Sequence, residues 1–367
     1  MNAIEFNVKL ARSLYLCLNL ILSVLYSYIT VKFISVYNFP IYIILFITTL
    51  IEFFILLDTS YFKIITGIKT KYLYYMLIVF SIVMFIFKRN INITYVLIFY
   101  FVYYLLITIV LLNYNLFVIE ESKSIKAGVT DISIYSNLSK LLGFSLGSYI
   151  YKVNIEEYLI VFIIVFILFS SLKINNFKNK TEKNSERLVF NDLKRKYIIV
   201  NTALLSGTAV FFIPMFIKQL AARNLIQYSS IVFFIPGLTV VLFLILTKKY
   251  EINLNNILIS YIILDMVFFI FVICKVFLPL QVILLSLIVA LGVLISIKLR
   301  TNFIKINDKE YRKSILQIFR ISAPLFTIIL SLIGLYLENI AYYILLINIL
   351  SAVHVLYVNL SNNKVIL

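Results

Sequence analysis

The residues of this 367-residue chain that could do chemistry are a few charges set inside long apolar runs. Glu52 lies in TTLIEFFILLD and Asp265 in IILDMVFFIF, neither with an opposite charge within one helical turn. An isolated carboxyl in hydrocarbon must be protonated or paired, because an uncompensated charge there is costly. A group that takes up a proton at one face and releases it at another needs that chemistry, so both acids are candidates for proton coupling. The plainer alternative is a neutral carboxyl hydrogen-bonded to a neighbouring helix. Lys140, more than two turns into KAGVTDISIYSNLSKLLGFSLGSYIY, is the cationic counterpart and must be paired, hydrated or snorkelling. Asp131, nine residues earlier, falls on the opposite helical face. Arg320 reads as a snorkelling anchor and Asp58 as an acid at a helix end near the headgroups.

Polar side chains also recur at helical spacing. Tyr15, Asn19, Ser23, Tyr26 and Thr30 form one stripe; Tyr100, Tyr104, Thr108 and Asn115, with Leu111 among them, form a second. Steps of three and four put each set on one face, which must turn toward a watery cavity or toward other helices. Further on, Asn201, Thr202 and Ser206 precede Pro214, a candidate bend, and Ser286 and Ser296 share one apolar run. As substrate or coupling residues the sequence offers Asp265, Glu52, Lys140, Asn19, Ser23, Thr108 and Asn201.

Other chemistries find no support. No Gly-rich phosphate loop, Ser/His/Asp grouping or metal-ligand spacing occurs, so no enzyme, metal or cofactor is expected. The single histidine, His354, reads as a bundle residue satisfied by its neighbours rather than as a ligand or base. Cys17 and Cys274 fall in or beside apolar segments and offer no disulfide framework. Glu156, Glu157 and Glu338 read as solvated helix ends.

The elements that hold these residues follow from composition. With 63% hydrophobic residues, a mean hydropathy of +1.04, and only 8 Gly and 5 Pro, the chain is expected to be an all-α polytopic membrane protein. Apolar runs of about 20 residues without alternating polarity favour helices over a barrel. They lie near 13–36, 40–58, 71–88, 93–118, 126–151 and 155–173, then near 197–217, 225–247, 254–275, 277–298, 314–336 and 338–360. Between the two sets runs the one long hydrophilic stretch; Lys173 to Lys196 holds eight Lys or Arg against three acids. The expected organisation is a six-helix half over 1–173, a basic linker over 174–196 and a second six-helix half over 197–367, about twelve spans in all.

Lys63, Lys69, Lys71, the linker and the cluster from Lys298 to Lys313 fall on alternate loops, whereas the intervening loops are poor in bases. That asymmetry puts both termini and the linker on the cytoplasmic side of a plasma membrane. It also assigns the net charge of +17 to membrane orientation and argues against a nucleic-acid partner. No cleavable signal peptide is expected at the N-terminus, where a short amphipathic lead runs into a full-length span without a small-residue cleavage site. With no Trp among the 367 residues, the 27 Tyr must anchor the interfaces. The abundance of Ile, Asn, Lys, Tyr and Phe suggests an A/T-rich bacterial genome.

In layout the chain resembles the major facilitator superfamily: twelve spans, both ends inside and a long basic linker after the sixth. Family members often carry G-x-x-x-D-R-x-G-R-K between spans two and three. Here SYFKIITGIKTKY keeps Gly67 and Lys69, while Ser60 replaces the first glycine and Ile64 the aspartate. The family's fifth span often shows G-x-x-x-G-P-x-x-G, matched here by Gly143, Gly147 and Ser148 without the proline. The resemblance implies that spans 1, 4, 7 and 10 line a central cavity and that the halves rock about it. It implies a secondary transporter for a small molecule, with the lipid bilayer as the other partner. Because the walls show so few charges, export of a small amphipathic or hydrophobic compound is expected, with proton coupling as a candidate. A flippase for lipid-linked oligosaccharide, or a non-transporting immunity or assembly protein, are the alternatives.

Overall fold

The structure, a computed structural model, describes residues 3–35, 42–62, 64–86, 93–122, 124–153, 163, 165, 167, 193–225, 228–249, 253–306, 312–334 and 340–361. Eleven helices are found among the described residues. They are α1 Ala3–Ser35, α2 Tyr42–Leu57, α3 Thr70–Ile86, α4 Ile93–Glu121, α5 Ile125–Val153, α6 Leu193–Ala222, α7 Ser229–Lys249, α8 Leu254–Ile273, α9 Leu278–Ile306, α10 Arg312–Gly334 and α11 Ile340–Ser361. A π-helical turn, Asp58–Phe62, continues α2. No strand occurs among the described residues.

Apolar side chains of every helical register favour these helices, since a span in lipid must satisfy its own backbone. Six of them contain stretches long and apolar enough to cross a membrane, from Val8–Lys32 in α1 to Ala341–Val358 in α11. Shorter apolar stretches lie in α2, α3, α6 and α10. The chain is thus a multi-pass, all-α membrane protein. Boundaries are set locally where polar groups allow it. Asn253 caps α8 by accepting from the Asn255 N–H at 3.0 Å, and α8 ends where Lys275 turns left-handed at φ 50°.

Several expected limits move. The lead before residue 13 is helical, because α1 already begins at Ala3. The helix expected to end at 298 runs on to Ile306. Helix α6 starts at Leu193, so the last residues of the expected linker are helical. It also passes through position 214 without a break. Of the expected sixth span only residues 163, 165 and 167 are described, all helical; the linker over 174–192 lies outside the described residues, as do Glu156, Glu157 and Glu338.

Packing brings the two ends of the chain together along a long seam. Helix α1 rests on α5 and α4, and α5 in turn packs on α7 and α9. Helix α2 lies against α4 and α10, and the Asp58–Phe62 turn also touches α10. Helices α3, α8 and α11 pack chiefly on α4, on α9 and α11, and on α8 and α6 respectively, away from that seam. The α1–α5 contact is backbone to backbone. A Cβ on Gly143 would sit 2.8 Å from the Leu20 carbonyl, and one on Gly147 would overlap the Val24 carbonyl. Here the small-xxx-small pair read from the sequence lets two helices approach closely.

Candidate functional site

A cavity of about 440 Å³ opens along the seam. Its walls come from α1, α2, α4 and α5 on one side and from α6, α7, α9 and α10 on the other. Helices α1, α4, α6 and α9 (spans 1, 4, 7 and 10 of the sequence reading) do line it, but α2, α5, α7 and α10 contribute nearly as much. Volume and lining suit a small molecule.

Polar residues concentrate on the α1 and α5 walls. Asn19, Ser23, Tyr26 and Thr30 of α1 face the cavity with Ser133, Ser136 and Asn137 of α5. The Asn19 amide donates to the Ser139 hydroxyl at 2.6 Å and to Ser136 at 3.2 Å. Asn19 therefore serves both expected roles, lining the cavity and tying α1 to α5. Ser23 donates to the Asn19 carbonyl at 2.7 Å, so its hydroxyl is bound to its own helix.

The charged centre lies where α2, α4 and α10 meet. Glu52 is 2% exposed on α2, and its carboxylate is saturated. One oxygen accepts from the Tyr104 hydroxyl at 2.9 Å and from the Arg320 guanidinium at 3.0 and 3.3 Å. The other accepts from the Gln317 amide at 2.5 Å. Gln317 also donates to the Glu52 backbone carbonyl at 3.0 Å, and Arg320 reaches the Thr108 hydroxyl at 3.4 Å. The expectation of Arg320 as a snorkelling anchor is corrected: its guanidinium is held by a buried carboxylate, which outcompetes a reach toward headgroups. Thr108, which the stripe aimed at the cavity, is fully buried as part of this cluster and is absent from the lining, whereas Tyr104 and Asn115 of the same stripe do line it.

Lys140 faces the cavity from α5, about 22 Å along the helix from its start, and is exposed there. Asp131, on the opposite face, pairs with Arg12 of α1 at 2.6 Å instead. Arg300 of α9 also lines the cavity, with its guanidinium 5.4 Å from the Phe319 ring centre. Sequence reading counted Arg300 among the orientation charges. The signal that could have found it is its register: Val289, Gly292, Val293 and Ser296 stand on the same cavity-lining face at helical spacing. Most of the remaining wall is apolar, with the Phe144 and Phe233 rings tilted against each other, 5.1 Å between centres, across the α5–α7 contact. Pro236 and Gly237 of α7 stand beside them, and the bare Gly237 lets α7 approach Leu141.

Other expected residues lie elsewhere. Asp265 is fully buried on α8, outside the lining, and neither carboxyl oxygen has a hydrogen-bond partner among the described residues. Asn201 is buried between α6 and α11, accepting from Ser351 at 2.7 Å, and it is its neighbour Thr202 that lines the cavity. Ser286 is bound to the Val282 carbonyl at 2.6 Å, and Ser296 reaches the cavity; the side chain of Ser206 lies outside the described residues. His354 is exposed on α11 rather than enclosed in the bundle. Gly67 and Lys69 are exposed in the α2–α3 loop. Asp58, expected at the headgroups, is buried and organises that loop: it accepts backbone N–H groups of Ile64, Ile65 and Thr66 at 2.9, 3.2 and 2.6 Å. No group of metal-ligating side chains occurs among the described residues.

Nearly all of the backbone superposes on solved transporters. A bacterial homologue of the iron transporter ferroportin, in its outward-facing state, matches with TM-score 0.63 and 13% identity over 96% of this chain and 98% of that one. The human organic anion transporter MFSD10 matches with TM-score 0.63 and 12% identity over 96% of this chain and 100% of that one. FucP, a major facilitator superfamily transporter in the outward conformation, matches with TM-score 0.57 and 13% identity over 94% and 97%. The chain has the major facilitator fold. No family model matches the sequence, and no curated protein matches it by sequence. Within this fold the α2–α10 and α5–α7 contacts are the most extensive of those that cross between the first and second sets of helices, and the cavity lies between the sets.

Proposed function

We propose that this protein is a secondary-active transporter that works by alternating access, with its substrate in the cavity between residues 1–173 and 197–367. The single observation that carries the reading is the Glu52–Arg320 bridge, a polar contact between the two sets of helices at the wall of a molecule-sized cavity. Such a contact has two discrete states, made and broken, which a rocking mechanism requires. The mixed aromatic and polar walls suit a small amphipathic compound. The organic anion named for MFSD10 is compatible with those walls.

Export from a bacterial cell, across a plasma membrane with both termini inside, is part of the proposal; the basic loops support the orientation. Proton coupling is assigned to Glu52 rather than Asp265, because Glu52 is at the cavity wall and holds the bridge. Protonation would remove its charge and loosen its hold on Arg320. The flippase and non-transporting alternatives draw no comparable support from the fold likeness.

Spin labels at Tyr61 and Lys305, exposed near the end of the bundle where the chain begins, test the reading. In the full chain in nanodiscs, Glu52→Gln should add a second, longer inter-label distance. One distance that never changes with Glu52→Gln or with pH would sink the alternating-access assignment.

A further inference from the structure

The cavity's charges do not cancel. Among the described residues Lys140, Arg300 and Arg320 line it against one carboxylate, Glu52, and Glu52 is committed to Arg320. Neither Lys140 nor Arg300 has a hydrogen-bond or ion-pair partner among the described residues, and the Arg300 Nε is a buried donor with nothing to donate to. Arg300 and Arg320 both act on Lys140 with the same sign of charge, and the one opposing carboxylate felt there among the described residues, that of Glu52, is already held by Arg320. Two uncompensated cations between membrane helices are costly unless something supplies the missing negative charge. Beside them runs an apolar face of Phe144, Phe233, Phe319, Val289 and Val293.

We infer that the cavity binds an amphipathic organic anion, its carboxylate, sulfonate or phosphate head between Lys140 and Arg300 and its apolar body against the aromatic wall. This deepens the transport reading and rests on it. It also revises the sequence-based expectation of a weakly charged cavity, which had no way to bring Arg300 and Lys140 onto one surface. The cation over the Phe319 ring is oriented by that ring, and Arg320 is held back by Glu52, so the free charge is concentrated at Lys140 and Arg300. A head with one or two negative charges meets a ready site and needs no cation of its own.

The test uses three probes with one body: 4-phenylbutyrate, 4-phenylbutanol and 4-phenylbutylammonium. Binding to the full chain in phosphatidylcholine nanodiscs is measured by equilibrium dialysis. The acid should bind roughly tenfold or more tighter than the alcohol, and the ammonium weakest, as expected for a charge-assisted contact. Lys140→Gln and Arg300→Gln should each bring the acid toward the alcohol, Lys140→Arg should restore it, and Lys305→Gln, at the exposed end of α9, should change nothing. If Arg300→Gln does not fold, the Lys140 pair of variants carries the test alone. Equal binding of the three probes, preference for the ammonium, or no binding at all overturns the anion assignment. Repeating the measurement with phosphatidylglycerol added separates the sources. Loss of phenylbutyrate binding means a lipid head takes the site, and unchanged binding means a soluble anion does. The spin-label distances read rocking without any ligand, so the transport reading can survive the loss of this one.

Discussion

Glu52 on α2 and Arg320 on α10, 268 residues apart in the chain, meet at 3.0 Å and join the two sets of helices at the wall of the cavity. The pair is not a bare salt bridge. Tyr104 and Gln317 donate to the carboxylate and Thr108 accepts from the guanidinium, which offsets part of the cost of removing both charges from water. Such a cluster specifies which helices pair as much as it stabilises them, since any other pairing would strand a charge.

The cluster predicts strong coupling. Glu52→Ala leaves Arg320 and Gln317 without their acceptor and should cost about 3 kcal/mol, and Arg320→Ala about the same. The double variant should cost less than the sum, with a coupling of about 1–3 kcal/mol in unfolding titrations with dodecyl sulfate. Strictly additive losses would show that the two side chains do not share the interaction.

The α1–α5 contact predicts a graded steric response. A Cβ at Gly147 would overlap the Val24 carbonyl and the Ser27 hydroxyl, whereas at Gly143 the nearest atom is the Ser23 Cβ. Because a backbone atom cannot swing aside, Gly147→Leu should destabilise by about 1–3 kcal/mol or prevent folding altogether. Gly143→Ala would also meet a backbone atom, the Leu20 carbonyl at 2.8 Å, but less deeply and with a smaller side chain, and should be milder. Equal thermal stability of both variants and the parent would mean that α1 and α5 are not in close contact.

Why some of this was legible and some was not follows from the length scale of each signal. The helices were readable because each needs about 20 apolar residues in a row, and the Gly143–Gly147 pair because its four-residue spacing is local. Which face of a helix meets the cavity depends on partners a hundred or more residues away. Thr108 stands in a polar stripe with Tyr104, yet Arg320 draws it into a buried cluster. Arg320 looked like an interfacial anchor because its distance from the span end was visible and its pairing with Glu52, 268 residues away, was not. Asn201 and Thr202 are adjacent, and a rotation of about 100° sends one to α11 and the other to the cavity.

Cavity lining can be read by water-soluble thiol reagents in a chain with Cys17 and Cys274 replaced by Ser. Asn137→Cys and Ser136→Cys, partly exposed on the α5 wall, should react. Thr108→Cys and Asn201→Cys, both buried in helix contacts, should stay silent until the protein is unfolded. Reaction at Thr108 with silence at Asn137 would mean that α4 and α5 are rotated relative to the packing described above.

Asp265 separates two accounts of proton coupling, because the expectation drawn from its lone position and its surroundings in the fold point in opposite directions. It is fully buried on α8 with both carboxyl oxygens unbonded among the described residues, beside Tyr261 and Phe268 on the same face. A buried polar group without partners costs stability, and replacing it by an apolar group of similar size removes that cost. Asp265→Leu should therefore unfold at the same or a higher denaturant concentration than the parent. If Glu52 carries the proton, Asp265→Leu and Asp265→Asn should leave the pH dependence of phenylbutyrate binding and of the Tyr61–Lys305 distance unchanged, while Glu52→Gln abolishes it. The reverse pattern, with pH dependence lost in both Asp265 variants and kept in Glu52→Gln, would move the proton site from the seam to α8. Coupling would then have to travel from α8 through α9, the cavity-lining helix on which it packs, rather than act directly on the bridge.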